Sequence, residues 1–124
     1  MKHDNSLTQQ VIGCAIEVHR TLGPGLLETV YEVCLCRELA MSGIPFVRQQ
    51  KIPVFYKGKK VDCDLRIDVI VDRSLALEIK AVYQILPVHE AQLLTYLRVA
   101  GLPLGLLLNF NEPTMTDGIR RRAL

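Results

Sequence analysis

The sequence predicts an α/β fold, a mixed β-sheet with helices packed on it. Three observations carry that expectation. Two segments before residue 43 and one after Pro87 repeat their apolar residues at helical spacing. The stretch between them alternates apolar and polar residues with the period of a strand. A last run, Leu104 to Phe110, is apolar almost throughout, as suits a strand buried on both faces. The order read along the chain is ααββββαβ, with a possible edge strand after it. The 124 residues show no repeats, linkers or low-complexity segments, so residues 1–124 are expected to form one domain with a real core.

Each element has its own signals. Ser6 followed by Gln9 is a capping-box pattern, and behind it Val11, Ala15, Val18 and Leu22 mark a first helix that runs to Gly23. Gly23-Pro24-Gly25 breaks the chain. A second helix is expected from Leu26 to Ser42, with Leu27, Val30, Cys34, Leu35 and Leu39 turned inward and Gly43 as its stop. Phe46–Gln49 and Ile52–Tyr56 read as strands, Pro53 pointing to an edge or a bulge. Lys57-Gly58-Lys59 is a turn. Val61–Val71 and Leu75–Val82 are the next strands. Pro87 opens a third helix that carries Leu93, Leu94 and Leu97 to Gly101. Leu104–Phe110 follows as a strand, and Gly118–Leu124 suits a final edge strand.

The chain is 49% hydrophobic and 23% charged, with a mean hydropathy of +0.20. That is apolar for a small monomer, so part of the surface is expected to be covered by identical subunits in a homo-oligomer. The net charge of +2 gives no bulk signature of a nucleic-acid binder. The cations are clustered, however, at Lys57, Lys59 and Lys60 and again at Arg120, Arg121 and Arg122. Such runs suit a solvated face or phosphate contacts. The cysteines, Cys14, Cys34, Cys36 and Cys63, contain no C-x-x-C pair and frame no zinc site. The first residues lack the apolar stretch of a secretory signal, and no run reaches membrane-spanning length. A cytoplasmic protein with reduced thiols and no membrane partner is the expectation.

Within this frame, Leu65 to Lys80 (LRIDVIVDRSLALEIK) stands out, because acids interrupt two apolar strands. A three-residue loop at Asp72-Arg73-Ser74 pairs Val71 with Leu75. Counting outward sets Asp68 opposite Glu78 and Arg66 opposite Lys80. Ile67, Val69, Val71, Leu75, Leu77 and Ile79 would then share one face, and Arg66, Asp68, Glu78 and Lys80 the other. Two carboxylates facing each other at roughly 5 Å need positive charge between them. Arg66 and Lys80 supply it in an exposed salt ladder. A hard divalent ion such as Mg²⁺ supplies it in a metal site, where it activates water and neutralises a phosphate. Spacing alone leaves both open.

Two further stretches bear on that choice. Gly25-Leu-Leu-Glu28-Thr-Val-Tyr31 is a G-x-x-E-x-x-Y pattern, and His89-Glu-Ala-Gln92-Leu-Leu-Thr-Tyr96 follows the hairpin. With RIDVIV, LEIKA and GLLLNFN, they make the chain resemble the GxxExxY family, itself similar to the PD-(D/E)XK nuclease superfamily, from about Val11 to the C-terminus. Ile67 stands where the superfamily name has proline. The resemblance implies an α/β/α fold, a central mixed sheet flanked by helices, with the acid and the E-x-K on neighbouring antiparallel strands. It implies Asp68, Glu78 and Glu28 as ligands of Mg²⁺ or Mn²⁺ and Lys80 as the catalytic lysine, with Glu28 also matching the extra helical acid of many such nucleases. Gln92 and Tyr96 match a catalytic Q-x-x-x-Y helix, and Arg66, Tyr31 and His89 complete the set as substrate contacts.

Local chemistry offers plainer roles for several of these residues. Glu28 favours the dipole of its helix start. Gln92 and Tyr96, four apart on one helix face, suit a half-buried polar pair. His19 is read as a capping or packing histidine. His89-Glu90 does not begin H-E-x-x-H, because position 93 is leucine. The functional expectation is a metal-dependent nuclease acting on the phosphodiesters of DNA or RNA. Its rivals are a nuclease-like scaffold that self-assembles into an oligomer or closed shell and binds an ion or small ligand, and a nucleic-acid-binding module without cleavage.

Overall fold

The structure is a computed structural model that describes residues 5–124. Five strands form one mixed sheet, ordered β1-β2-β3-β4-β5. Helices α1 (Asn5–Leu22) and α2 (Glu28–Met41) precede β1 (Phe46–Tyr56), β2 (Lys59–Val71) and β3 (Leu75–Lys80). Helix α3 (Pro87–Ala100), β4 (Leu104–Asn109), a short 3₁₀ turn (Met115–Gly118) and β5 (Ile119–Ala123) follow. The β3–β4 pair is parallel; the other neighbours are antiparallel. A parallel pair needs a long crossover, and α3 provides it.

Two apolar layers make the sandwich. Val11, Ala15 and Val18 of α1 and Leu35 and Leu39 of α2 pack on Val69, Leu77, Ile79, Leu106 and Leu108. On the other face Leu93 and Leu97 of α3 pack on Ala76 and Leu107. Gly105 lets α3 approach: a Cβ there would meet Leu93 Cδ1 at 2.8 Å. Thus α/β/α layering, a mixed sheet and the third helix stand as expected. Pro87 lies in the first turn of α3, and Gly101 ends it in the left-handed region at φ 72°.

Several local expectations are corrected. Ser6 lies inside α1 and bonds Gln10, so it does not cap the helix. The buried stripe of α2 is Tyr31, Leu35 and Leu39, whereas Leu27 and Val30 are 77% and 40% exposed. Tyr31 fixes this rotation by stacking on Phe110, rings 4.6 Å apart at 11°. The two strands expected before residue 57 are one strand, β1, with its irregularities at Gln49 and between Pro53 and Phe55. Ile67 does not share the face of Val69, because it packs in the α3 layer. Gln49, opposite Asp68, has φ 51°, and alternation breaks at that point.

Candidate active site

The hairpin loop forms as the three-residue count requires. Val71 pairs with Leu75, Ser74 N–H donates to Val71 O at 3.0 Å, and Asp72 and Arg73 take left-handed φ values of 49° and 57°. The ladder then stops at Val69–Leu77. Asp68 lies just past it, and its Oδ2 accepts the Ile79 N–H at 2.8 Å, replacing the backbone carbonyl that a continued ladder would supply. Asp68 and Glu78 still come together, through the side chain of Asp68. Arg66 is not opposite Lys80; it is exposed and faces Lys51 of β1. The Arg66–Lys80 pairing that a salt ladder on this hairpin would need does not form.

Glu78 is the buried member of the acid pair, and Asp68 is half-buried. Glu78 is 6% exposed, and its Oε1 has no hydrogen-bond partner among the described residues. Burial, then the charge of Asp68 and a hydrogen bond with it, push the Glu78 carboxyl up to about 9. Burial also raises Asp68, against the lowering effect of the Ile79 N–H and the charge of Lys80. Strand alternation places Lys80 on the side of Glu78, away from the inward Ile79. An orphaned, buried carboxylate oxygen beside a second carboxylate fits a hard divalent cation. Asp68 and Glu78 are the residues that would hold it.

Glu28 does not join them in a three-acid cluster, and the described residues contain no group of three His, Cys, Asp or Glu arranged to hold a metal. Its Oε2 instead accepts the Ala81 N–H at 3.2 Å, one residue past Lys80. The acid wired to Asp68 is Glu32, one helical turn on. Glu32 is 5% exposed and accepts from Arg48 Nε and Nη2 at 2.9 and 2.7 Å. Gln49 Nε2 donates to Glu32 at 2.9 Å and reaches Asp68 Oδ1 at 3.5 Å. Glu32, Arg48 and Gln49 escaped the sequence reading. The faint signal was a second acid four residues after Glu28 and a polar trio inside a strand.

Gln92 Nε2 donates to Tyr96 OH at 3.1 Å. Tyr96 packs against the α3 layer, the side to which Glu78 and Lys80 turn. Tyr31 is fully buried, and its hydroxyl donates to Gly23 O at 2.6 Å while accepting from Leu26 N at 3.0 Å. It pins the Gly-Pro-Gly bend and has no surface for a substrate. His89 Nδ1 accepts the Leu86 N–H at 2.9 Å, so this ring closes the start of α3. His19, as expected, is a packing residue, with Nε2 at 2.8 Å from Glu112 O. Asn109, also unforeseen, is fully buried and clamps Val82 through both its N–H and its carbonyl, fixing the chain beyond Lys80. A concavity of about 780 Å³ lies apart from these acids, among Phe46, Val47, Ile52, Ile70 and Leu102. Its walls are mainly apolar, with Gln50, Asp72 and Arg73 among them, and include neither carboxylate of the Asp68–Glu78 pair.

The mixed sheet and the acid–E-x-K hairpin define the nuclease-like α/β class. The model of the PD-(D/E)XK nuclease superfamily matches residues 5–122, and the chain belongs to that superfamily. No curated protein and no solved structure matches it. Among the described residues no helix is long and apolar enough to cross a membrane.

Proposed function

We propose that this chain is a Mg²⁺- or Mn²⁺-dependent nuclease, a single nuclease-like domain that hydrolyses phosphodiester bonds of nucleic acid. The pairing of half-buried Asp68 with buried Glu78, whose Oε1 is unpartnered among the described residues, carries the reading. The cation supplies Lewis acidity toward water and phosphate when bound there. Asp68 is oriented by Ile79 N–H and Gln49, and Glu78 gives up its proton to become a ligand. Lys80 directs its ammonium at the charge that develops on the phosphate. Gln92 and Tyr96 orient the strand, and Arg66 and the free Nε2 edge of His89 contact phosphates. Glu28 supports this set by holding the Ala81 N–H. Within the superfamily, Gly25–Tyr31 supports membership of the GxxExxY family. The four free thiols suit the cytoplasm.

Cleavage of single-stranded DNA, duplex DNA, branched DNA and RNA with each metal tests the reading. Metal-dependent cleavage of at least one substrate is expected; no cleavage of any would move the function to a silent scaffold. A homo-oligomer is part of the same proposal, because Leu27 just before α2 and Val33 and Met41 within it are exposed at 77%, 47% and 66%. Sedimentation at micromolar concentration is expected to give at least a dimer, and a 14.0 kDa monomer would refute it.

A further inference from the structure

The β1–β2 hairpin outruns its sheet. β2 pairs with β3 only over Val69–Val71, whereas its pairing with β1 continues from Gln50–Ile67 to Tyr56–Lys59. Residues 50–67 are therefore a two-stranded stretch that β3 does not pair with; Ile52 and Ile67 pack its root on the α3 layer, and the rest continues outward as a ribbon. At ~3.4 Å per residue, the strand from Gln50 to Tyr56 reaches roughly 20 Å. Its root is Asp68.

The ribbon is charged in a way the fold does not require. Lys51, Lys57, Lys59, Lys60 and Arg66 are all exposed, against the two acids Asp62 and Asp64. The ribbon is thus more positive than the whole chain, whose net charge is +2. No ion pair among the described residues engages these five cations. Lys51 stands directly opposite Arg66, a like-charge pair that weakens a sheet unless an anion lies over it. At the tip Phe55 and Tyr56 are each 64% exposed, and Lys57 Nζ lies 5.4 Å from the Tyr56 ring centre.

We propose that this ribbon is a docking arm for duplex DNA, lying in the major groove with its lysines on phosphates. The proposal rests on the nuclease reading and extends it to a substrate class. The major groove of B-form DNA admits a two-stranded β-ribbon, while the deep, narrow groove of A-form RNA does not. A duplex held along the arm runs toward its root, where Asp68 and Glu78 meet. Charge complementarity commits the arm to a polyanion, and the width and length of the ribbon commit it to the B-form groove.

Fluorescence anisotropy with a dye-labelled DNA duplex of about 20 base pairs, in EDTA over a series of KCl concentrations, tests the arm. Two variants are compared with wild type, each checked by circular dichroism for an unchanged fold. One is Lys57→Gln/Lys59→Gln/Lys60→Gln. The other is Arg120→Gln/Arg121→Gln, on the opposite edge strand. The lysine variant is expected to bind at least about tenfold more weakly and to lower the slope of log K against log salt by about 2 to 3, one step per lost phosphate contact. The arginine variant should keep the wild-type slope. An unchanged slope in the lysine variant, no duplex binding by wild type, or tighter binding of single-stranded DNA or duplex RNA would overturn the arm. Because EDTA prevents cleavage, a failure here leaves the reading of Asp68 and Glu78 to its own metal and cleavage tests.

Discussion

Lys80→Ala is expected to lower metal-dependent cleavage by about 10²- to 10³-fold, the usual effect of removing a fixed charge that faces a developing anion. Stability should change by no more than about 1 kcal/mol, because Lys80 is half-buried at the end of β3 and forms no ion pair among the described residues. A second effect separates this role from a structural one. The Lys80 charge lowers the pKa of both Asp68 and Glu78. Without it the acids ionise later, and the remaining activity should rise at more alkaline pH than in wild type. Steady-state rates across pH decide it. Wild-type turnover in the variant would remove Lys80 from the site.

The metal-free protein is expected to lose stability as pH rises, the reverse of the common carboxylate pattern. Glu78 goes from 4.5 to about 9 on folding, so between these values the native state holds a proton that the unfolded state has released. Stability is then fullest below the unfolded value and falls toward the folded one, by up to about 1.4 kcal/mol per pH unit. Asp68, raised in the same direction, adds to the low-pH end. Urea melts in EDTA from acid to alkaline pH should show the decline in wild type and lose most of it in Glu78→Gln, which cannot ionise. A cation reverses the sign, because it needs both acids ionised, and its stabilising effect should grow with pH. Identical pH profiles for wild type and Glu78→Gln would contradict a buried, protonated Glu78 beside Asp68.

The layering was legible because it depends on local periods and punctuation. Pro87 and Gly101 bracket α3, Leu104–Phe110 reads as a buried strand, and the loop at Asp72–Ser74 sets the hairpin register. What escaped depends on contacts between distant residues. Period-two counting assumes a regular strand, and Gln49 with its left-handed φ breaks that regularity opposite Asp68. The count therefore placed Asp68 and Glu78 together but put Ile67 and Arg66 on the wrong neighbours. The turn of α2 was misread because apolarity favoured Leu27 and Val30, while the Tyr31–Phe110 stack and the Tyr31 hydroxyl set the rotation. Glu32 was hidden by its partners, since Arg48 lies 16 positions away and Glu28 is the acid that a sequence pattern picks out. Asn109 had a readable signal, one polar residue inside an apolar run, and its purpose required the loop after β3 to be in place.

Calorimetric titration with Mn²⁺ measures, without relying on catalysis, whether Asp68 and Glu78 form a divalent-metal site. Wild type is expected to bind one Mn²⁺ per chain, releasing protons near neutral pH as Glu78 ionises. Asp68→Asn should bind at least about tenfold more weakly, since it removes one of two charged ligands. Equal Mn²⁺ affinity in the two proteins, or no binding by wild type, would contradict the site.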